Sequence, residues 1–468
     1  MSRLKVVLYN PQSVFYTMPL ALLALGSYLD PEKYEVKIFD GRIDDERSVL
    51  KECEDAICFG VTVLTGAPIH DALRMTRRVK SRFPGLVTVW GGWHPSLFPE
   101  ETLHEKAIDV VVNGQGEISF AALLEAISSG TSFNGIKGIH FKQSGQTVQT
   151  PPQPLADVNA FPRFNYDLIP VEKFFALKKR RQLDHISSQG CRFRCTFCAD
   201  PLMYKRGWTA FSPQRMGEEL EDLWKRYRFT DVNFQDETFF TSRDRVEGIA
   251  SEILDRELKF TWFGTMRADQ GTRMHDDLFK LCKRSGLRKV MIGIEAGSQE
   301  TLDWMQKDIT VEQVYDSAAR CLRNNIGVLF NIIVGFPGET PESISESIRV
   351  ARELRKMSPR FELAIFYFKP YPGNLIADQL LREGYRFPRG LEEWANFDYV
   401  GSRNEWISDA QMQQVEFFRF YQRIGWNDTM PLLGPIRKIA RWRCQNHNYH
   451  LPLERRLYEW IRPPEKLS

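Results

Sequence analysis

Through the first 150 residues, short apolar runs alternate with helix-length stretches. The runs fall at 5–9, 36–39, 57–64, 87–90 and 109–112, with helical patterns such as 18–29 and 69–82 between them. Strand and helix in alternation predict a parallel, doubly wound α/β sheet, a Rossmann-like domain over 1–150. Sheets of this kind take ligands outside the carboxyl ends of their strands. Those ends carry Asn10-Pro11, Asp40-Gly41, Thr65-Gly66, Gly91-Gly92 and Asn113-Gly114-Gln115-Gly116, and glycine there lets the backbone approach a ligand. Over 151–180 the pattern breaks: Pro151, Pro152, Pro154, Pro162 and Pro170 read as an extended linker. Alternation then returns, with strand-like runs near 185–188, 231–235, 260–264, 289–294, 327–334 and 361–368. Ser212 followed by Pro213 is an N-cap with proline at the first helical position, leading into a helix over 216–227. Six such repeats close only part of an eight-fold barrel, giving a partial (β/α)6 TIM-like barrel over 181–385. The last segment, 386–468, is expected to be mostly helical, over the barrel mouth or apart from it. It contains Trp394, Trp406, Trp426, Trp442 and Trp460 and the basic aromatic stretch IRKIARWRC.

At 468 residues the chain is long enough for two or three domains, and 43% hydrophobic with 26% charged content is that of a globular protein. A formal net charge of +3 is too small to argue for a nucleic-acid partner. MSRLKVVLYN runs straight into a strand pattern without a signal peptide, and no apolar stretch is long enough to span a bilayer, so the cytoplasm is the expected compartment. Of eight cysteines, three fall within eight residues, while Cys53, Cys58, Cys282, Cys321 and Cys444 are scattered. Cys58, Cys282 and Cys321, in apolar strand or helix patterns, read as small buried hydrophobes.

The cluster is CRFRCTFC, in which Cys191, Cys195 and Cys198 form C-x3-C-x2-C on a loop after the first strand of the second half. Three thiolates at that spacing hold three corners of a four-iron cluster and leave one iron open to a small molecule. Zinc prefers four closed ligands, and no fourth Cys or His lies nearby except His185, upstream in the strand.

C-x3-C-x-Phe-C, with Phe197 before the last cysteine, resembles the signature of the radical S-adenosylmethionine (SAM) superfamily. The resemblance implies a [4Fe-4S] cluster whose open iron chelates the methionine group of SAM and whose electron cleaves it to a 5'-deoxyadenosyl radical. It also implies an electron donor such as a flavodoxin or ferredoxin. VNFQDETFF ends the second barrel strand with Asp236 and Glu237, and in related enzymes a carboxylate here accepts hydrogen bonds from the methionine amino group. A solvated turn or helix cap is the rival reading. MIGIEAGS resembles the fourth-strand motif in which Glu295 or Ser298 approaches the ribose or methionine. A glutamate inside an apolar strand is expensive to bury without a partner. NIIVGFPGET matches the fifth-strand turn at Gly335 that lies against adenine. Arg267 in TMRAD is a carboxylate partner or a structural ion pair.

A doubly wound domain ahead of such a barrel resembles the cobalamin-binding subfamily, which includes methyltransferases and the anaerobic magnesium-protoporphyrin ester cyclase. WGGWHPSLFPEETL, from Trp90, and DVVVNGQGEISF, from Asp109, carry that likeness, which covers about 1–380. It implies a cobalamin site drawn from Asn10, Gly41, Thr62, Thr65, Gly91, Gly92, His94, Gly114, Gly116 and Glu117. The chain departs from one cobalamin pattern: none of its eight histidines stands in D-x-H-x-x-G, so a histidine lower ligand of that kind is absent. A nicotinamide site would need G-x-G-x-x-G after the first strand, where NPQSVFYTM has no glycine.

The leading expectation is methylation of an unactivated carbon of a small-molecule or lipid substrate. Radical cyclisation, oxidation or rearrangement, as in the ester cyclase, is the alternative. Transfer-RNA methylthiolation is disfavoured by the lack of a second three-cysteine site, and a non-catalytic carrier by the complete set of barrel motifs. The stretch 436–460, with Arg437, Lys438, Arg441, Arg443, Arg455, Arg456, Trp442, Tyr449 and Trp460, could make a peripheral membrane contact. A solvated helix face packed by tryptophans is the preferred reading. Tyr367 and Tyr371 are candidates for a substrate cavity, and no catalytic acid or base stands out.

Overall fold

The computed structural model describes residues 3–397, 405–426 and 434–455. Five parallel strands open the chain: β1 (Leu4–Asn10), β2 (Tyr34–Asp40), β3 (Ala56–Thr62), β4 (Val87–Gly91) and β5 (Val110–Val112). An antiparallel hairpin, β6 (Ile139–Gln143) and β7 (Gln146–Gln149), extends them to a seven-stranded sheet in the order β2-β1-β3-β4-β5-β6-β7. Val6, Val7 and Leu8 are wholly buried, as a strand covered on both faces requires. The order reverses between β1 and β3, which opens a crevice at their carboxyl ends. Ser144 and Gly145, at φ 51° and 80°, make the hairpin turn with both central residues left-handed.

Within the stretch expected to be an extended linker, the chain forms 3-10 turns at Val158–Ala160 and Tyr166–Leu168 and a helix at Val171–Lys178. The wholly buried Tyr166 donates its hydroxyl to the Asp184 carbonyl at 2.6 Å. This stretch is therefore anchored rather than loose.

Next come β8 (Gln182–His185), a short antiparallel ladder of β9 (Ser188–Gly190) with β10 (Trp208–Ala210), and β11 (Asp231–Phe234). They are followed by β12 (Thr261–Met266), β13 (Leu287–Glu295), β14 (Gly327–Val334) and β15 (Phe361–Tyr367). The second sheet has six strands in the order β15-β14-β13-β12-β11-β8. The first of these lies earlier than the apolar pattern suggested, at 182–185 instead of 185–188, because its buried residues include Gln182, Asp184 and His185.

The chain divides into two compact units. One comprises Met1–Thr265, Lys280–Arg288 and Lys369–Tyr399; the other comprises Met266–Phe279, Lys289–Phe368 and Val400–Ser468. The segment after β15 is thus not one piece. The short helix Gly390–Ala395 sends Leu391 and Trp394 into the core of the first unit, beside Val63, Ile69 and Leu103. The helices Asp409–Gly425 and Gly434–Asn446 belong to the second unit, where Glu416 on the first of them accepts the Tyr367 hydroxyl at 2.8 Å. Lys438, Ile439 and Trp442 are exposed on the basic helix, while Ala440 and Cys444 are buried. Arg456 and Trp460 lie outside the described residues. No described helix is long and apolar enough to cross a membrane.

Candidate functional site

The cysteine loop begins where β9 ends. Gly190 sits at φ 85°, and a Cβ there would lie 2.3 Å from the Gly207 carbonyl oxygen, so only glycine makes this bend. Cys191, Cys195 and Cys198 follow on one loop, whose last turn is closed by a hydrogen bond from the Cys198 amide to the Cys195 carbonyl at 3.2 Å. Burial pushes the Cys191 thiol up to about 11 and the Cys198 thiol well above its ordinary range, and each also feels the charge of its neighbouring cysteines. Such thiols ionise when a metal ion binds the sulfur and displaces the proton to solvent. Among the described residues no group of three His, Cys, Asp or Glu is placed to hold a single metal ion. In an iron–sulfur cluster each thiolate takes a different iron, and three cysteines on one short loop fit a [4Fe-4S] cluster with one open iron. Asn374, which sequence reasoning did not single out, braces the loop. Its side-chain amide donates to the Phe197 carbonyl at 2.9 Å, and its oxygen caps the helix Leu375–Arg382.

The adjacent carboxylates after β11 have opposite surroundings. Asp236 is consumed: Oδ1 accepts the Ser187 amide at 2.8 Å, and Oδ2 accepts the hydroxyls of Ser187 and Ser188, each at 2.6 Å. Arg245, also buried, donates to the Ser187 carbonyl at 2.7 Å. Asp236 therefore locks the turn from β8 to β9. Glu237 faces a cavity. It receives the Tyr204 hydroxyl, its Oε2 is buried with no hydrogen-bond partner, and burial together with the charge of Asp200 pushes its carboxyl up to about 8.

That cavity, about 380 Å³, lies wholly within the first unit. Leu8, Val61, Val89, Val112 and Phe120 make an apolar floor. Thr62, Gly91, Gly92, Gly114, Gly116 and Glu117 line it from the strand ends, and Ile186, Gln189, Tyr204, Gln235 and Glu237 line it from the barrel side. Its size is that of a cofactor cleft. Gly92, at φ 90°, would set a Cβ 2.8 Å from Thr62 Oγ1, and Gly114, at φ 69°, has open space where a Cβ would point. Glycine at these bends and an apolar floor fit a large flat cofactor such as cobalamin.

Four other residues of the expected cobalamin set are not brought to this cavity. Asn10 donates to Asp40 at 2.7 Å and lines a smaller neighbouring hollow. Gly41 packs under the Tyr9 hydroxyl. Thr65 and His94 face each other at 3.3 Å between Oγ1 and Nδ1. The His94 ring is wholly buried against Phe98 and Trp394, and burial lowers it to about 3. No histidine lines the cavity among the described residues. Only the neighbour of His94, Trp93, reaches it, meeting Tyr204 edge-on at 6.2 Å between ring centroids.

Glu295, Ser298, Arg267 and Gly335 lie in the second unit. Glu295 ends β13 at a register shift with φ 60°, a left-handed conformation rare outside glycine, and pairs with the buried Lys307 at 2.7 Å. Lys307 is the partner a buried glutamate demands, but its surroundings in the sequence carry no signal for it. The Arg267 guanidinium bonds Asp269 at 2.9 Å and the Lys307 carbonyl, which makes it a structural hub beside that pair. Ser298 is buried at the start of the helix Gln299–Trp304 without capping it. Gly335, at φ 80°, donates its amide to Glu339 at 2.6 Å.

Residues 7–124 match the B12 binding domain, and residues 185–351 match the radical SAM superfamily. An uncharacterised methyltransferase of Pyrococcus horikoshii is 29% identical over 86% of this chain and 88% of its own length. The anaerobic magnesium-protoporphyrin IX monomethyl ester cyclase of Synechocystis is 26% identical over 62% of this chain and 59% of its own. A radical SAM methyltransferase from Kitasatospora setae, solved with cobalamin and a [4Fe-4S] cluster bound, superposes with a TM-score of 0.71. Identity there is 18%, over 92% of this chain and 90% of that one. A cysteine triad fit for a cluster, a glycine-edged cavity at the sheet's switch point and matches to both domains in this order agree, and the chain belongs to the B12-binding radical SAM enzymes.

Proposed function

We propose that this enzyme methylates an unactivated carbon of a small-molecule or lipid substrate. The observation that carries the reading is the single cavity walled both by the strand ends of the B12-binding domain and by the barrel residues that follow β8 and β11. When bound, the cluster and SAM supply a 5'-deoxyadenosyl radical for hydrogen abstraction, and cobalamin supplies the methyl group. Cys191, Cys195 and Cys198 would hold the cluster, and Thr62, Gly91, Gly92, Gly114, Gly116 and Glu117 would frame the cobalamin. Glu237 would take the methionine amino group of SAM, since it lines the cavity with a partnerless oxygen and Asp236 does not. Glu295, Ser298 and Gly335 are candidates for SAM by the resemblance of their motifs alone. The apolar floor keeps water from a reactive radical, and the residues otherwise orient rather than react. The Pyrococcus relative is called a methyltransferase, which supports this reading, and the ester cyclase relative supports cyclisation or oxidation as its rival.

Product mass decides between them. The enzyme, reconstituted without oxygen with iron, sulfide, hydroxocobalamin and a flavodoxin or ferredoxin system, would be offered a library of cellular small molecules and lipids with methyl-labelled SAM. A label-bearing product heavier by one methylene, absent in a Cys191→Ala, Cys195→Ala, Cys198→Ala variant, is expected. A product that loses hydrogen or gains oxygen, without label, would overturn methylation in favour of the rival.

A further inference from the structure

Between the two walls of the cavity runs a chain of side-chain hydrogen bonds that ties Glu117, of the proposed cobalamin frame, to the barrel side. Gln189, in the middle of β9, accepts at Oε1 from the Gln115 side-chain amide at 2.7 Å. It also hydrogen-bonds Glu117, a buried carboxyl at the start of the helix Glu117–Ser129. Gln115 is held in turn, its own oxygen accepting the Ala156 amide at 2.8 Å. Gln115 and Glu117 thus flank Gly116 in the loop that walls the cavity after β5. Gln189 lies one residue before Gly190, whose left-handed bend starts the cysteine loop. A primary amide suits this place because it can accept from one neighbour and donate to the other at once.

We propose that Gln189 is a positioning residue that links the B12-side loop at 114–117 to the cysteine loop, so that filling the cavity alters the surroundings of the cluster. The link is a side-chain contact carried into a paired strand: Gln189 and Gly190 are consecutive in β9, held opposite Thr209 and Trp208 of β10. A ligand that moves or stiffens 114–117 therefore has a mechanical path to Cys191. This inference rests on the two cofactors, and not on methylation as the outcome.

The test uses the full-length chain and two variants, Gln189→Leu and Gln115→Leu. Gln115 follows β5 in the first sheet, remote in sequence from the cysteines, so an effect of its loss on the cluster reports the link itself. In the apo protein, amide hydrogen exchange should quicken in both variants at 114–117 and at 190–198 together. In the reconstituted enzyme, adding hydroxocobalamin to the wild type should change the electron paramagnetic resonance signal of the reduced cluster. Neither variant should show that change, and cobalamin affinity should fall about ten-fold, as expected when half-buried amides and a buried carboxyl lose a partner. A wild-type signal indifferent to cobalamin overturns the proposal. So does a Gln115→Leu variant whose signal responds as the wild type does, or exchange that quickens at only one of the two segments. Failure of methylation would instead appear in product mass and leave these readouts untouched.

Discussion

Replacing Asp236 by alanine separates the two neighbouring carboxylates that the sequence presents as equivalents. The substitution strands three donors in the turn between β8 and β9: the Ser187 amide and the Ser187 and Ser188 hydroxyls, held at 2.8, 2.6 and 2.6 Å. It also leaves the buried Arg245, which Asp236 helps keep charged, without that carboxylate. Each stranded buried donor costs about 1–3 kcal/mol, and the three are not additive because they share one acceptor group. A local loss of about 4 kcal/mol is therefore expected in the segment that carries the cysteine loop. Native-state amide exchange of the apo protein reads this directly. At about 1.4 kcal/mol per factor of ten, the amides of 187–191 should exchange roughly a thousand-fold faster. Glu237→Gln is the control: Glu237 Oε2 has no partner and burial already disfavours its charge, so exchange there should stay within about ten-fold. Acceleration of less than about ten-fold in Asp236→Ala would refute the assignment of Asp236 as the lock of the turn.

Two further outcomes follow from buried charge. His94 is held to about 3 by burial, against about 6.5 in an unfolded chain, so below pH 6.5 the unfolded state binds the extra proton and stability falls as pH drops toward 3. His94→Phe should flatten that part of a urea-stability profile measured across acid pH, and parallel wild-type and variant profiles would show that the ring contributes nothing to acid lability. Lys307→Met strands the Glu295 carboxylate, paired at 2.7 Å, and should destabilise by about 3 kcal/mol or more. Adding Glu295→Gln should restore part of the loss in a double-mutant cycle, whereas strictly additive losses would mean the pair carries no coupling.

The fold was legible wherever strands are apolar. Gly327–Val334 coincides with the expected run, and Leu4–Asn10 and Ala56–Thr62 lie within a few residues of theirs, because strands buried on both faces show as continuous hydrophobic stretches. The hairpin of β6 and β7 was missed because its residues are largely polar and half of them exposed, with only the Ser144-Gly145 turn as a signal. β8 was displaced because its core residues are polar ones satisfied by partners, which hydropathy cannot show. At the candidate site, the cysteine spacing and the glycines at strand ends were readable because they answer to local geometry. Side-chain direction was not. Nothing in the sequence separates Asp236, turned into its own loop, from Glu237, turned to the cavity, or shows that His94 faces Trp394, hundreds of residues away. Lys307 was invisible for the same reason: its partner at Glu295 is chosen by a bulge, not by spacing.

The lining of the cavity has a consequence for how the protein is made. Among the described residues its walls run from Leu8 to Glu237, and none comes from later in the chain. Ribosomes deliver the amino-terminal part first, and domains generally fold as units while synthesis continues. Every wall of the cavity has thus been translated before β13 and the strands after it exist. The bracing comes later than the lining: Asn374, which holds the cysteine loop, and Trp394, in the core of the first unit, arrive only with 369–399, so the chamber is lined well before it is fastened.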